Sequence, residues 1–536
     1  MNTQTVQQDT DVLVVGYGPS GATIAALLAR RGWQVAIVEQ SADIYDKPRA
    51  ITADHEALRI FQEIGVADEI AAAAAPHPGT DYLGLDGQII KRFYPAPPPD
   101  LLGWMPNFMF VQPELEAKLR SAVEHTGNVQ RFLAHQLLDF EQDEKGVKAN
   151  VCRMSDGERM TLHARYLIAA DGAASIVRKQ LQSPIEDLAF DEWWLVVDAW
   201  IRGSIELPAR AVQYCRPSRP GTYMVGPGAL RRWEIKMLPH ETPEDFQDHD
   251  AVWRVLADFV DTSGLEHCRT AVYRFHALVV EQWRHGRVFL IGDAAHQMPP
   301  FLGQGLCAGV RDAVNLAWKL DAVMSGWASS GLLDTYTDER KRHVRTVVGH
   351  AKAFGLIIGE LDPVAARERD LKLGAELASG RAVTVRQRFI PGLETGLIDC
   401  DASGAPQPGA GDLLLQPWVR QGKGPWLRFD DVVGARFLVV CRSIEGLKEV
   451  DEATRASWLA LKGAWVVLSQ NGAEALDHSM LVAERDGWLT HWLDARGALA
   501  LVARPDRYVY GAARNGEELK RLMRDIVKKI SREITS

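Results

Sequence analysis

Apolar and polar positions switch period several times near the start of the chain. Residues 11–15 are a β-branched run that stops at Gly16. Apolar positions then recur at helical spacing over residues 22–30, closed by Gly32, and residues 34–39 form a second apolar run. The pattern predicts strand, tight turn, helix and strand, a βαβ unit. Residues 54–72 read as a further helix, with Ala57, Ile60, Phe61 and Ile64 on one face.

Over residues 76–106 the pattern breaks into Pro, Gly and Trp, including Pro95, Pro97, Pro98 and Pro99, and predicts an irregular excursion. Helical periodicity returns at 114–123, and 166–170 reads as a buried strand. Residues 190–275 carry aromatic and β-branched runs (193–200, 211–215, 232–237) that predict antiparallel strands. A strand at 288–291 and a helix at 309–324 follow, with helices continuing to about 388. A Gly- and Pro-rich loop over 391–412 is the predicted domain boundary. Beyond it, 437–441, 465–469 and 499–502 read as strands with helices between them, and 520–532 as a solvated amphipathic helix.

A chain of 536 residues predicts two or three domains. A net charge of −9 argues against a nucleic-acid surface, which needs clustered cations. The six cysteines form no C-x-x-C pair, so neither a zinc site nor a dithiol is expected, and reduced thiols in a cytoplasmic protein are. The polar N-terminal segment lacks the features of a signal peptide. No apolar stretch reaches the length of a membrane span.

Three motifs carry candidate chemistry. Gly16-Tyr17-Gly18-Pro19-Ser20-Gly21 follows a strand and opens a helix. Gly16 permits the turn, Gly18 lets backbone approach a pyrophosphate, and Gly21 lets the helix pack on the strand, while the helix start favours phosphate. Glu39 lies roughly 20 residues on, where an acid grips a ribose hydroxyl. The second motif runs from Tyr166 through Asp171 and Gly172 to Ser175 and Arg178. The third holds Gly292, Asp293 and His296, then Pro299-Pro300 and Gly303-Gln304-Gly305-Leu306, and leads into a long helix.

In these motifs, their order and their separations, the sequence resembles the class A, single-component flavoprotein aromatic hydroxylases. The resemblance implies an α/β fold: a Rossmann-like FAD-binding domain over 1–185 and 275–390, and an inserted mixed β-sheet substrate region over 76–106 and 186–274. A C-terminal thioredoxin-like domain over 400–536 completes it. It implies extended FAD with Glu39 on the adenosine ribose, Asp293 near the ribityl and pyrophosphate groups, and Asp171 in the motif linked to FAD and nicotinamide. Arg49 and Gln112 match family positions that contact the cofactor. Cys307 stands where many relatives have Asn. No separate nicotinamide domain is apparent, so NADH or NADPH is expected to visit transiently. Cys441 is the sole cysteine after 400, so the last domain has no dithiol.

The finer resemblance is to 3-(3-hydroxyphenyl)propionate hydroxylases and phenol hydroxylases. It implies hydroxylation of a small phenolic substrate by O2 through a flavin C4a-hydroperoxide. A neutral phenol is a weak nucleophile, so a proton acceptor is expected. Asp54 and His55 are the catalytic candidates, with helix capping the competing role for Asp54. Gln213, Tyr223, Trp233 and Lys236 are candidate substrate contacts. His276 and His296 are considered as acid/base groups, the latter more simply structural. Arg219, Arg231 and Arg232 are equal candidates for a substrate carboxylate. Heteroaromatic or quinone-ring hydroxylation and an FAD-dependent reductase or dehydrogenase stay open, as does a homodimer.

Overall fold

The computed structural model describes residues 7–381, 383–468 and 479–531. Residues 1–6 of the polar N-terminal segment, Ser469 at the end of a predicted strand and Arg532 at the end of the last predicted helix lie outside them.

The first βαβ unit is Gln7–Val15, Pro19–Ala29 and Val35–Glu39. Gln7–Val15 is central in a sheet whose parallel strands run Val288–Leu290, Arg159–Ala169, Gln7–Val15, Val35–Glu39, Val129–Leu133. The helix Pro19–Ala29 is buried along Gly21 to Ala29 because it packs between this sheet and the helix Gly305–Met324. All-round burial explains its uninterrupted apolar run.

The helix predicted over 54–72 divides into His55–Glu63 and Ala67–Ala73. Gly65 lies between them at φ +85°, and its amide donates to the Gln62 carbonyl, closing the first helix. The excursion over 76–106 contains two strands, Thr80–Leu83 and Ile89–Tyr94. They extend a nine-stranded mixed sheet that also holds Ala211–Tyr214, Gly221–Val225, Leu230–Lys236, Ile185–Ile201 and Leu265–Val280. The helical run expected to reach 388 ends at Ala378, and Val383–Val385 instead pairs parallel with Ile89–Tyr94 at the edge of this sheet.

The last sheet places Leu438–Cys441 parallel to Ala464–Leu468 and antiparallel to Ala500–Ala503, which pairs with Val509–Ala513. The helix Glu452–Ala460 connects the parallel pair, and the helix Gly516–Ser531 follows the hairpin. This βαβ-then-ββα order is thioredoxin-like. The final helix buries Leu519, Leu522, Met523, Ile526 and Ile530 against this sheet, so only its other face is solvated.

The C-terminal unit meets the rest of the fold through an apolar seam, in which Trp318, Ala322 and Leu332 pack with Phe437 and Val439, and through buried ion pairs. Asp430 accepts from Arg59 at 2.7 Å and from Arg507 at 2.6 Å. Glu339 pairs with Arg504 and Lys319, each at 2.7 Å, and Asp506 accepts from Asn315 and Trp318 of the Gly305–Met324 helix. Removing one partner of such a buried pair would strand a charge away from water, which is costly.

Candidate active site

A cavity of about 910 Å³ runs between the parallel sheet and the mixed sheet. The glycine motif forms one end. A Cβ on Gly16, at φ +98°, would lie 2.3 Å from the Ala170 carbonyl oxygen, and one on Gly21 would lie 2.1 Å from the Gly16 oxygen. A Cβ on Gly18 would meet no protein atom within 4 Å, because that backbone faces the open cavity. The three glycines thus serve a turn, a ligand approach and a helix-strand contact. Pro19, Ser20 and Glu39 line the same end. Glu39 is held by the Tyr17 and Ser41 amides at 2.7 and 2.8 Å.

The other two motifs lock onto the first. A Cβ on Gly292 would approach Ser20 Oγ to 2.8 Å, and one on Gly309 to 2.2 Å. Asp171 accepts from the Ile176 amide at 2.8 Å, and Arg178 donates to the carbonyls of Asp293 and Ala294 at 3.2 and 3.0 Å. Asp171 and Asp293 both open onto the cavity within surrounding protein, and that burial pushes both carboxyls upward. Arg49 and Gln112 line the cavity as well, each bonded to Glu116, at 3.1 and 2.6 Å.

Pro300, Gly303, Gly305 and Leu306 form the turn that opens into the Gly305–Met324 helix. Gly303 adopts φ +64°, and a Cβ there would strike Thr52 Cγ2 at 2.5 Å. Gln304 at the helix start makes no side-chain cap, so the first-turn amides are available to a ligand. Gly21 and Gly292 themselves do not line the cavity; they are packing positions behind it.

Asp54 and His55 are placed differently from expectation. Neither lines the cavity. Asp54 is fully buried, caps the helix His55–Glu63 by accepting from the Ala57 amide at 3.2 Å, and pairs with Arg311. Burial raises its pKa, but the Arg311 guanidinium outweighs that and holds the carboxyl below its usual range. Burial pushes His55 down. The capping role accounts for Asp54, and the geometry gives neither residue access to a substrate.

Tyr223 and Trp233 also sit away from the cavity. They are register partners whose rings pack 5.4 Å apart in the core behind the mixed sheet. Side chains alternate between faces along a strand, so their neighbours Thr222, Met224, Arg232 and Glu234 face the cavity instead. Gln213 lies on the cavity side as well. Lys236 is occupied by Glu192 at 2.7 Å, Arg219 by Glu241 at 2.6 Å, and Arg231 by backbone carbonyls. Of the three arginines, Arg232 alone reaches the wall, paired with Asp198 at 2.7 Å. His276 lines the cavity, whereas His296 lies outside it, 2.8 Å from Asp312.

The mixed sheet contributes a row that motif reading missed. Val196, Glu234, Thr222, Gln213 and Tyr82 are successive cross-strand neighbours, and all five line the cavity. Thr222 donates to Gln213 Oε1 at 2.5 Å. Burial pushes the Glu234 carboxyl up, opposed by Arg232. Phe93, Phe301, Phe275 and Arg386 complete this end. The polar-apolar alternation Arg232-Trp233-Glu234-Ile235 was a legible signal for Glu234; Tyr82 and Arg386 carried none.

Comparison with known proteins agrees with this geometry. Residues 9–351 match the FAD binding domain family, and residues 411–529 match the HcaD C-terminal domain. The chain is 33% identical over 516 residues, 93% of each chain, to 3-(3-hydroxy-phenyl)propionate/3-hydroxycinnamic acid hydroxylase 2 of Burkholderia vietnamiensis. It is 32% identical to a probable NADH-specific resorcinol 4-hydroxylase of Rhodococcus jostii, covering 97% of this chain and 95% of that one. The flavin-dependent monooxygenase PieE, solved with FAD and substrate, superposes with a TM-score of 0.81 at 25% identity, covering 97% of this chain and 99% of PieE. The glycine cradle, the open approach at Gly18 and the uncapped helix start fit FAD, and the chain belongs to the FAD-dependent flavoprotein aromatic hydroxylases.

Proposed function

We propose that this enzyme hydroxylates a small phenolic ring of the 3-(3-hydroxyphenyl)propionate or resorcinol type, using O2 and NADH or NADPH. The observation that carries this reading is the row from Glu234 to Tyr82: polar groups at fixed spacing on an aromatic-walled cavity that ends at the Pro300–Leu302 turn. When bound, FAD supplies electron transfer to O2 and delivery of one oxygen atom. The protein positions the ring and excludes water. The start of the Gly305–Met324 helix favours negative charge at the inner end of the cavity. Glu234, whose carboxyl burial pushes above its usual range against the pull of Arg232, is the wall group suited to accept a phenolic proton.

The test is NADH and NADPH oxidation by the purified holoenzyme across a panel of phenols, with O2 uptake and mass spectrometry of products formed under ¹⁸O2. One phenol that stimulates turnover and gains a labelled oxygen supports the reading. Stimulation by none, despite bound FAD, would favour a heteroaromatic substrate or a reductase.

A further inference from the structure

Arg386 is the odd cation of the cavity. It is 5% exposed and lines the wall, yet among the described residues it forms no ion pair. Its Nη2 donates to the neutral Leu302 carbonyl at 2.8 Å, and its Nε has no partner. The guanidinium lies over the Phe93 ring at 4.6 Å. Tyr82, also on the wall, is fully buried, and its hydroxyl has no partner either. Buried polar groups are nearly always satisfied, and an unpaired buried charge is costly. Two such groups opening on one cavity mark a place for a ligand oxygen.

The surroundings do not neutralise Arg386. The titratable groups that bear on it are Tyr82, Cys307, Asp54 and His77. Burial pushes Tyr82 and Cys307 up, so both are neutral, and Asp54 is already paired with Arg311. His77 is pushed well down by burial and by Arg386 itself, and its Nδ1 accepts from the Gly79 amide at 3.0 Å, leaving it neutral. Burial lowers Arg386 to about 10, which still leaves it charged at neutral pH.

We propose that Arg386 and Tyr82 form a subsite for an anionic oxygen of the substrate, a carboxylate or a phenolate. A guanidinium and a phenolic hydroxyl are the donors such an oxygen takes, in charge-assisted hydrogen bonds. Tyr82 lies three strands from Glu234 in the cross-strand row, which at ~4.8 Å per strand separates the two ends by roughly 14 Å. One oxygen does not reach both ends, so the subsite is distinct from the proton-accepting end. It lies beside the glycine turn, since a Cβ on Gly303 would be 3.2 Å from Arg386 Nη2. The inference rests on the hydroxylase reading for what the ligand is, not for the existence of the subsite.

The test uses the FAD-loaded enzyme and reads ligand binding from the perturbation of flavin absorbance, without turnover. The probes are 3-phenylpropionate (carboxylate only), 3-(3-hydroxyphenyl)propionate and resorcinol (phenol only). For a carboxylate, Arg386→Gln weakens the first two at least tenfold and leaves resorcinol within twofold, with partial recovery in Arg386→Lys. For a phenolate, Arg386→Gln weakens resorcinol and moves its binding to higher pH, while 3-phenylpropionate is unaffected; the phenolic oxygen then lies at this end and Glu234 is not its proton acceptor. Tyr82→Phe, which keeps the ring, shifts the same probes by a smaller factor. Unchanged binding of all three probes in Arg386→Gln and Tyr82→Phe overturns the subsite. Loss of 3-phenylpropionate binding with no phenol hydroxylated by the wild type would instead retain the subsite and remove the proposed reaction.

Discussion

Tyr508 of the C-terminal unit donates a 3.0 Å hydrogen bond to Glu56 beneath the cavity. Glu56 shares Arg311 with Asp54, and Arg311 donates at 2.8 Å to Gln304, which lines the cavity at the start of the Gly305–Met324 helix. The last domain therefore reaches the flavin-side helix through a buried chain of four side chains. Cys441 of that domain is buried and forms no disulfide.

Tyr508→Phe removes one donor from Glu56 and leaves the Arg311 pair. Stability is expected to fall by about 1–2 kcal/mol with flavin content preserved. Arg311→Met strands two buried carboxylates and is expected to cost about 3–5 kcal/mol, with loss of flavin. Urea denaturation and the flavin-to-protein absorbance ratio measure both. Equal, small effects would show that the chain does not support the helix.

Gly16→Ala and Gly18→Ala should separate folding from cofactor binding. The first drives a methyl into the Ala170 carbonyl at a left-handed backbone position and is expected to give unstable apoprotein. The second meets no protein atom, so the apoprotein keeps its melting temperature while FAD affinity drops at least tenfold. A Gly18→Ala protein with wild-type affinity for FAD would contradict the placement of the phosphates.

Acid should loosen the domain interface. Arg59 and Arg507 hold Asp430 at about 2 despite its burial, below the roughly 3.9 of an unfolded aspartate. Above pH ~4 both states are ionised and the stabilisation is complete. As pH falls from 4 through 2 the unfolded chain takes the proton first, and the stabilisation is lost. Glu339, held low by Arg504 and Lys319, acts in the same direction. Thermal melts across this range should fall steeply for the wild type. Asp430→Asn should start lower at pH 7 and fall less; a parallel curve would remove Asp430 as a source of the slope.

Opposite faces of one strand should give opposite phenotypes. Glu234→Gln faces the cavity and is expected to lower kcat at least tenfold and flatten the pH–rate profile with little change in melting temperature. Trp233→Phe faces the core and is expected to cost about 1–3 kcal/mol of stability while leaving KM within twofold. A Trp233→Phe enzyme with altered substrate preference would reverse the face assignment.

The glycine motif, the Gly292–Leu306 segment and their flanking elements were legible in the sequence because each is a local statement. A turn that needs glycine, a strand before it and a helix after it are all written within some twenty contiguous residues. The parallel sheet followed from the order of those segments. The strands inside 76–106 were hidden because their Pro- and Gly-rich flanks resemble loop, and because their partners Ala211–Tyr214 and Val383–Val385 lie far along the chain.

The substrate wall belonged to tertiary structure alone. Residues 232–236 alternate polar and apolar, so the sequence held the parity of the strand, but both faces are buried and only the packed sheet shows that Glu234 points to the cavity and Trp233 away from it. Asp54 read as a candidate base, with capping as the competing role, and only the fold brings Arg311, 257 residues away, against its carboxylate. Tyr82 and Arg386 are ordinary residues in their local context. They become a pair only because the edge of one sheet brings residues some three hundred positions apart to the same wall, and no periodicity in a one-dimensional pattern encodes that proximity.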